Sequence, residues 1–161
     1  MDAQAQTIPG DSVLSPPAPK TIYFDGPVDK GNVDWTMQRL SPGDTLVVNT
    51  KGGDAQEAHR FAEFISKNNI NTHVNSTGQV QSAGALIYAA GKKRTAGKNA
   101  QFHFHMGRNS DGTENFEATT WYLQQLQNRG VSIEKLRQLP ILENTITLDS
   151  LLGRSIGLVN E

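Results

Sequence analysis

The chain has 161 residues, a net charge of −1, 36% hydrophobic and 19% charged residues. That is enough for one domain with a sizeable core, and the mixed charge gives nucleic acid or an anionic membrane nothing to prefer as the main partner. The absence of cysteine excludes disulfides, thiolate zinc sites and a cysteine nucleophile, and no apolar run approaches the about 20 residues of a membrane helix.

Residues 1–20 read as a flexible, proline-containing tail. Ser15-Pro16-Pro17-Ala18-Pro19 suits neither a helix nor a sheet interior. Met1 to Gln6 lacks the basic start and apolar segment of a signal peptide, so a cytoplasmic protein is expected, with a mature exported chain as the alternative. The ordered domain is expected over 21–161, beginning with a strand at Thr21-Ile22-Tyr23-Phe24. Val33, Met37 and Leu40 are spaced as on one helix face, which predicts a helix over 32–40. Thr45 to Thr50 is an apolar strand broken by Gly52-Gly53, and Asp54 is placed to cap a helix reaching about Lys67. Thr72 to Asn75 reads as a strand, Ser82 to Ala90 as a buried helix, Lys92-Lys93-Arg94 as a solvated turn, and Gln101 to His105 as an alternating strand. Helices are expected over 115–128, 132–139 and 149–155. Strands alternating with helices predict an α/β domain with a largely parallel sheet.

Sites in such sheets gather at the C-terminal ends of strands. Gly52-Gly53, the Ser82 turn and His105 all fall at such ends. Serine attacks a carbonyl only when a base takes its proton and donors meet the oxyanion that forms. Histidine suits the base because its pKa lies near neutrality. The N–H groups of Gly53 and Ala83 are the candidate oxyanion donors. Taken singly, Ser82 reads as a helix cap, the glycine pair as a tight turn, and His59 and His73 as ordinary surface or capping residues. His103 shares the face of His105, but a third metal ligand is not evident, and no metal or cofactor is expected.

Order and spacing say more. Asn49-Thr50-Lys51-Gly52-Gly53, then Gly78-Gln79-Val80-Gln81-Ser82-Ala83-Gly84-Ala85, then Phe102-His103-Phe104-His105, and last Ser155-Ile156-Gly157-Leu158-Val159-Asn160 resemble, in this order, the motifs of the proteolytic subunit of the Clp protease. The resemblance runs over about residues 21–160. It implies a Clp/crotonase-like spiral of ββα units, with Ser82 as nucleophile, His105 as general base, and Gly53 and Ala83 as oxyanion hole. It also implies a peptide or unfolded-protein substrate bound as an extended strand, a homo-oligomer, and an ATP-driven unfoldase as partner.

Departures bear on activity. Counting from either side of the last linker puts the triad acid at Glu143 or at Thr145, with Asn144 between them. Glu143 alone would both orient the imidazole and stabilise its cation. Lys51 stands where the family has proline, and the polar stretch after His105 is shorter than the segment that joins the family's two rings. Lys98 and Lys135 are the candidates for a serine–lysine pair of the related signal-peptide peptidases. Two other readings stand beside the serine peptidase: a catalytically weakened or inactive subunit that binds peptides or partners, and a crotonase-like acyl-thioester enzyme. Trp121-Tyr122-Leu123 suggests a helix with an apolar outer face suited to self-association.

Overall fold

The computed structural model of the chain describes residues 18–105, 107–140 and 145–161. The expected tail over residues 1–20 falls almost wholly outside them, as does Glu143.

The first strand, β1, runs Thr21–Asp25 and pairs in parallel with β2, Thr45–Asn49. Between them lies α1, Lys30–Met37, which starts two residues earlier than the apolar spacing predicts because the Asp29 carboxylate accepts the Asn32 N–H as an N-cap. Helix α2, Ala55–Lys67, follows β2 and is capped by Asp54, whose Oδ1 accepts from the N–H groups of Gln56 and Glu57. Its Ala58, Phe61, Ala62 and Ile65 form one buried stripe, and burial of Phe61 or Ile65 contributes about 1.5–3 kcal/mol each. Strand β3, Asn71–Val74, adds to β2, and β5, Arg94–Ala96, adds to β3. The result is a four-stranded parallel sheet of order β1-β2-β3-β5.

A second sheet has the order β4-β6-β7. Strand β4, Gln79–Gln81, is parallel to β6, Gln101–His105, and β7, Thr145–Leu148, is antiparallel to β6. An isolated parallel bridge from Thr50 to Val80 joins the two sheets where β2 ends. The wholly buried helix α3, Gly84–Ala89, packs among α2, β2 and β6. Three helices complete the fold: α4, Phe116–Asn128; α5, Ile133–Arg137; and α6, Ser150–Ser155. Each begins at a polar cap, Asn115, Ser132 and Asp149 respectively.

Two expectations need correction. The turn proposed over Lys92-Lys93-Arg94 is solvated only in part, because Arg94 opens β5 and is buried. Its guanidinium donates to the carbonyls of Leu158, Gly157, Gly91 and Ala89, so it clamps the C-terminal segment onto the end of α3. The outer apolar face expected at Trp121-Tyr122-Leu123 is divided: Tyr122 and Leu123 pack against the core, while Trp121 stands at the surface with its ring edge-on to His59.

Candidate active site

Ser82 follows β4 directly, and α3 does not begin until Gly84, with Ala83 as its N-cap. Ser82 is therefore not the capping residue, and no side chain caps this helix. Its backbone lies in the left-handed region, at φ 53°, shared among the described non-glycine residues only by Asn69. A serine costs about 1–2 kcal/mol there, and such outliers persist where their surroundings over-determine them. The surroundings here are three hydrogen bonds. The Ser82 N–H donates to the His103 carbonyl at 3.0 Å, and the Ser82 carbonyl accepts from the Ala85 N–H at 3.0 Å and from the Tyr122 hydroxyl at 2.7 Å.

His105 reaches the same place because β4 and β6 are parallel. Gln81 is opposite His103, so Ser82 and His105 leave the sheet at one end. Phe102 and Phe104 face the core, which turns His103 and His105 to the other face. His103 is already engaged, with Nδ1 at 2.9 Å from the Thr147 hydroxyl oxygen, and partial burial lowers its pKa. The β6–β7 register sets Thr145 directly across from His105, as Thr147 is across from His103. Glu143 and Asn144, the other two candidates for the third member, lie outside the described residues.

Gly53 arrives from the third side. It forms a parallel bridge with Val28: the Val28 N–H donates to the Gly52 carbonyl, and the Asp54 N–H donates to the Val28 carbonyl, both at 2.9 Å. In a parallel ladder these bonds use the residues flanking Gly53, so its own N–H points away from Val28. Only glycine fits: φ is +149°, and a Cβ would lie 2.4 Å from the Val28 oxygen. Gly52, at φ +99°, permits the neighbouring close approach, since a Cβ there would lie 3.1 Å from the Ser82 Cβ. Among the described residues, neither the Gly53 nor the Ala83 N–H donates a hydrogen bond.

These parts line one pocket of about 100 Å³: Gly53, Ser82, Ala83 and His105 on one side, with Ala118, Trp121 and Tyr122 of α4 closing it. The arrangement supplies a hydroxyl, an imidazole and two free backbone donors around a small space, which is the equipment of acyl transfer. Lys98 and Lys135 do not line it. Lys98 precedes β6, at the far end of the strand from His105, and its carbonyl accepts from the Ser150 hydroxyl. Lys135 directs its amine to the Ser155 carbonyl. His73 contacts the Thr95 hydroxyl, and His59 packs on Trp121. Among the described residues, no cluster of His, Asp or Glu is arranged to hold a metal.

Tyr122 was not legible as a part of this site. Its partner Ser82 is 40 positions away, and in the sequence it reads only as one apolar residue of a helix.

Comparison with known proteins gives matches of two kinds, to a family model and to solved structures. The Clp protease family model matches residues 41–135, a span that holds Gly53, Ser82, Ala83 and His105. The crystal structure of the ClpP protease catalytic domain from Plasmodium falciparum superposes with a TM-score of 0.67 at 16% identity, over 88% of this chain and 83% of that one. At that identity the likeness carries the fold: an α/β Clp-type domain. No curated protein matches the chain in sequence.

Proposed function

The chain belongs to the Clp protease family, and on that premise we propose that it is a serine peptidase working through an acyl-enzyme on Ser82. The observation that carries the reading is the single pocket lined by Gly53, Ser82, Ala83 and His105. The Ser82 oxygen attacks the scissile carbonyl carbon while His105 takes its proton. The Gly53 and Ala83 N–H groups hold the oxyanion. The C–N bond breaks, His105 protonates the leaving amine, and the acyl group stays on Ser82 as an ester. Water then attacks that ester, His105 takes a proton from it and returns it to Ser82, and a carboxylic acid leaves.

The substrate is an extended peptide or unfolded protein, running beside Gly53, whose N–H faces away from Val28. Glu143 is the proposed third member, orienting His105 and stabilising its cation. A fluorophosphonate probe tests the core of the reading: it should label the folded protein at Ser82 and leave Ser82→Ala unlabelled. Absence of labelling in folded protein at neutral pH would refute it.

One observation favours a weakened or inactive subunit instead: the residue across from His105 is Thr145, which carries no charge. If Thr145 rather than Glu143 is the third member, the imidazolium lacks its counter-charge and hydrolysis is slow. Glu143→Gln separates the two, with a large loss of rate under the first and none under the second. Self-association belongs to the proposal as well. Phe116 is 74% exposed and shares an open apolar surface of α4 with Trp121. Light scattering over a range of concentrations should show a species larger than the monomer. An ATP-driven unfoldase, implied by the sequence resemblance, would feed folded substrates to the site. Among the described residues no helix is long and apolar enough to cross a membrane.

A further inference from the structure

Tyr122 touches the serine turn, and the proposed chemistry gives it no task. Its hydroxyl donates to the Ser82 carbonyl at 2.7 Å, and its ring packs on Phe104, the residue before His105, with centroids 6.5 Å apart. One helical turn earlier on α4, the Thr119 hydroxyl accepts the Gly107 N–H at 2.8 Å, just past His105. Residues three apart share a helix face, so one face of α4 grips both the serine turn and the chain leaving the histidine strand.

The geometry of a peptide unit gives that grip a chemical meaning. The Ser82 carbonyl and the Ala83 N–H belong to the same peptide plane, which is rigid, and in a trans unit they point in opposite directions. No cis peptide bond is present among the described residues. Whatever fixes the Ser82 oxygen therefore fixes the direction of the Ala83 N–H. This plane is flanked by a residue in the left-handed region, where the chain does not hold itself without outside support. Ala85 gives part of that support from within the turn. The Tyr122 hydroxyl gives the rest from a separate helix.

We propose that Tyr122 is a positioning residue for the reaction: by holding the Ser82 carbonyl, it aims the Ala83 N–H at the oxyanion that forms in the pocket. The idea rests on the serine peptidase reading. Burial holds the phenol well above its ordinary pKa, so the hydroxyl keeps its proton and stays a donor at neutral pH. Tyr122 does not touch the reacting atoms in this scheme and acts through the backbone of Ser82.

The test uses the full chain and a fluorophosphonate probe, with the maximal labelling rate and the half-saturating concentration read separately. Wild-type protein labels at Ser82. In Tyr122→Phe the maximal rate should fall about tenfold while half-saturation moves less than twofold, because the Ala83 N–H that the bond aims meets its oxyanion only in the transition state. The predicted loss is smaller than that for deleting an oxyanion donor outright, which costs about 100-fold or more, since the Ala85 bond remains. Leu126→Val, a buried change on the same helix away from Ser82, should label at the wild-type rate. A Tyr122→Phe rate within twofold of wild type overturns the proposal, and so does an equal fall in Leu126→Val, which would mark a packing effect. Should Tyr122→Phe not fold, Tyr122→Met is read in the same way, as it removes the hydroxyl and keeps an apolar side chain of similar bulk. Wild-type protein that fails to label at Ser82 refutes the peptidase reading itself, whereas a labelled wild type with an unaffected Tyr122→Phe refutes only the role of Tyr122.

Discussion

Replacing Ser82 by glycine should make the protein more stable while removing its nucleophile. Ser82 holds φ 53°, a conformation that costs an L-residue about 1–2 kcal/mol. Glycine adopts it freely but brings about 0.5–1 kcal/mol of extra chain entropy to the unfolded state. The difference leaves a net gain of about 0.5–1 kcal/mol. For a domain of this size that corresponds to a rise of roughly 1–4 °C in Tm. The three hydrogen bonds at this residue all use backbone atoms of Ser82, so glycine keeps them. Ser82→Ala keeps the Cβ and therefore the strain, and its stability should stay within about 0.5 kcal/mol of wild type. Asn69→Gly is a second control: it shares φ 53°, but asparagine tolerates this region, so the gain should be smaller. Urea unfolding followed by tryptophan fluorescence gives all four free energies. Equal stability of Ser82→Gly and Ser82→Ala would refute the claim that the serine turn is strained.

Two other outcomes follow from close contacts. Gly53→Ala places a Cβ 2.4 Å from the Val28 oxygen at φ +149°; the segment must shift and carry its N–H with it, so peptide turnover should fall at least about tenfold, and unchanged turnover would contradict the oxyanion role. Arg94→Met leaves the four carbonyls that accept from its guanidinium without that donor, and denaturation should show a loss of about 2–4 kcal/mol; a loss under about 1 kcal/mol would mean that the clamp on the C-terminal segment is not needed for stability.

The sequence made the long, capped or strongly patterned elements legible. Asp54 and the stripe Ala58, Phe61, Ala62 and Ile65 announce α2, and the alternation of Phe102 and Phe104 with histidines announces β6. Strands β4, β5 and β7 were not visible, because three or four residues such as Gln79-Val80-Gln81 carry too little pattern and are held by their neighbours in the sheet. The same limit hid the environment of Arg94, whose charge reads as solvated until the carbonyls around it are known. At the site, residue types and their order pointed to Gly53, Ser82, Ala83 and His105, which share one pocket. The strained turn at Ser82 and the hydroxyl of Tyr122 upon it come from contacts between distant segments, which no local pattern encodes. The third member of the site depends on register, and the register brings Thr145 opposite His105, while the two residues before it stay outside the described structure.

The central claim is that Ser82 carries an acyl group during peptide hydrolysis. Acid quenching during turnover of an unfolded protein substrate, followed by mass spectrometry of the digested enzyme, tests it most directly. The account predicts a peptide ester on Ser82, absent from Ser82→Ala and depleted in His105→Ala. Hydrolysis that persists in Ser82→Ala, or an acyl group found on any other residue, would contradict it.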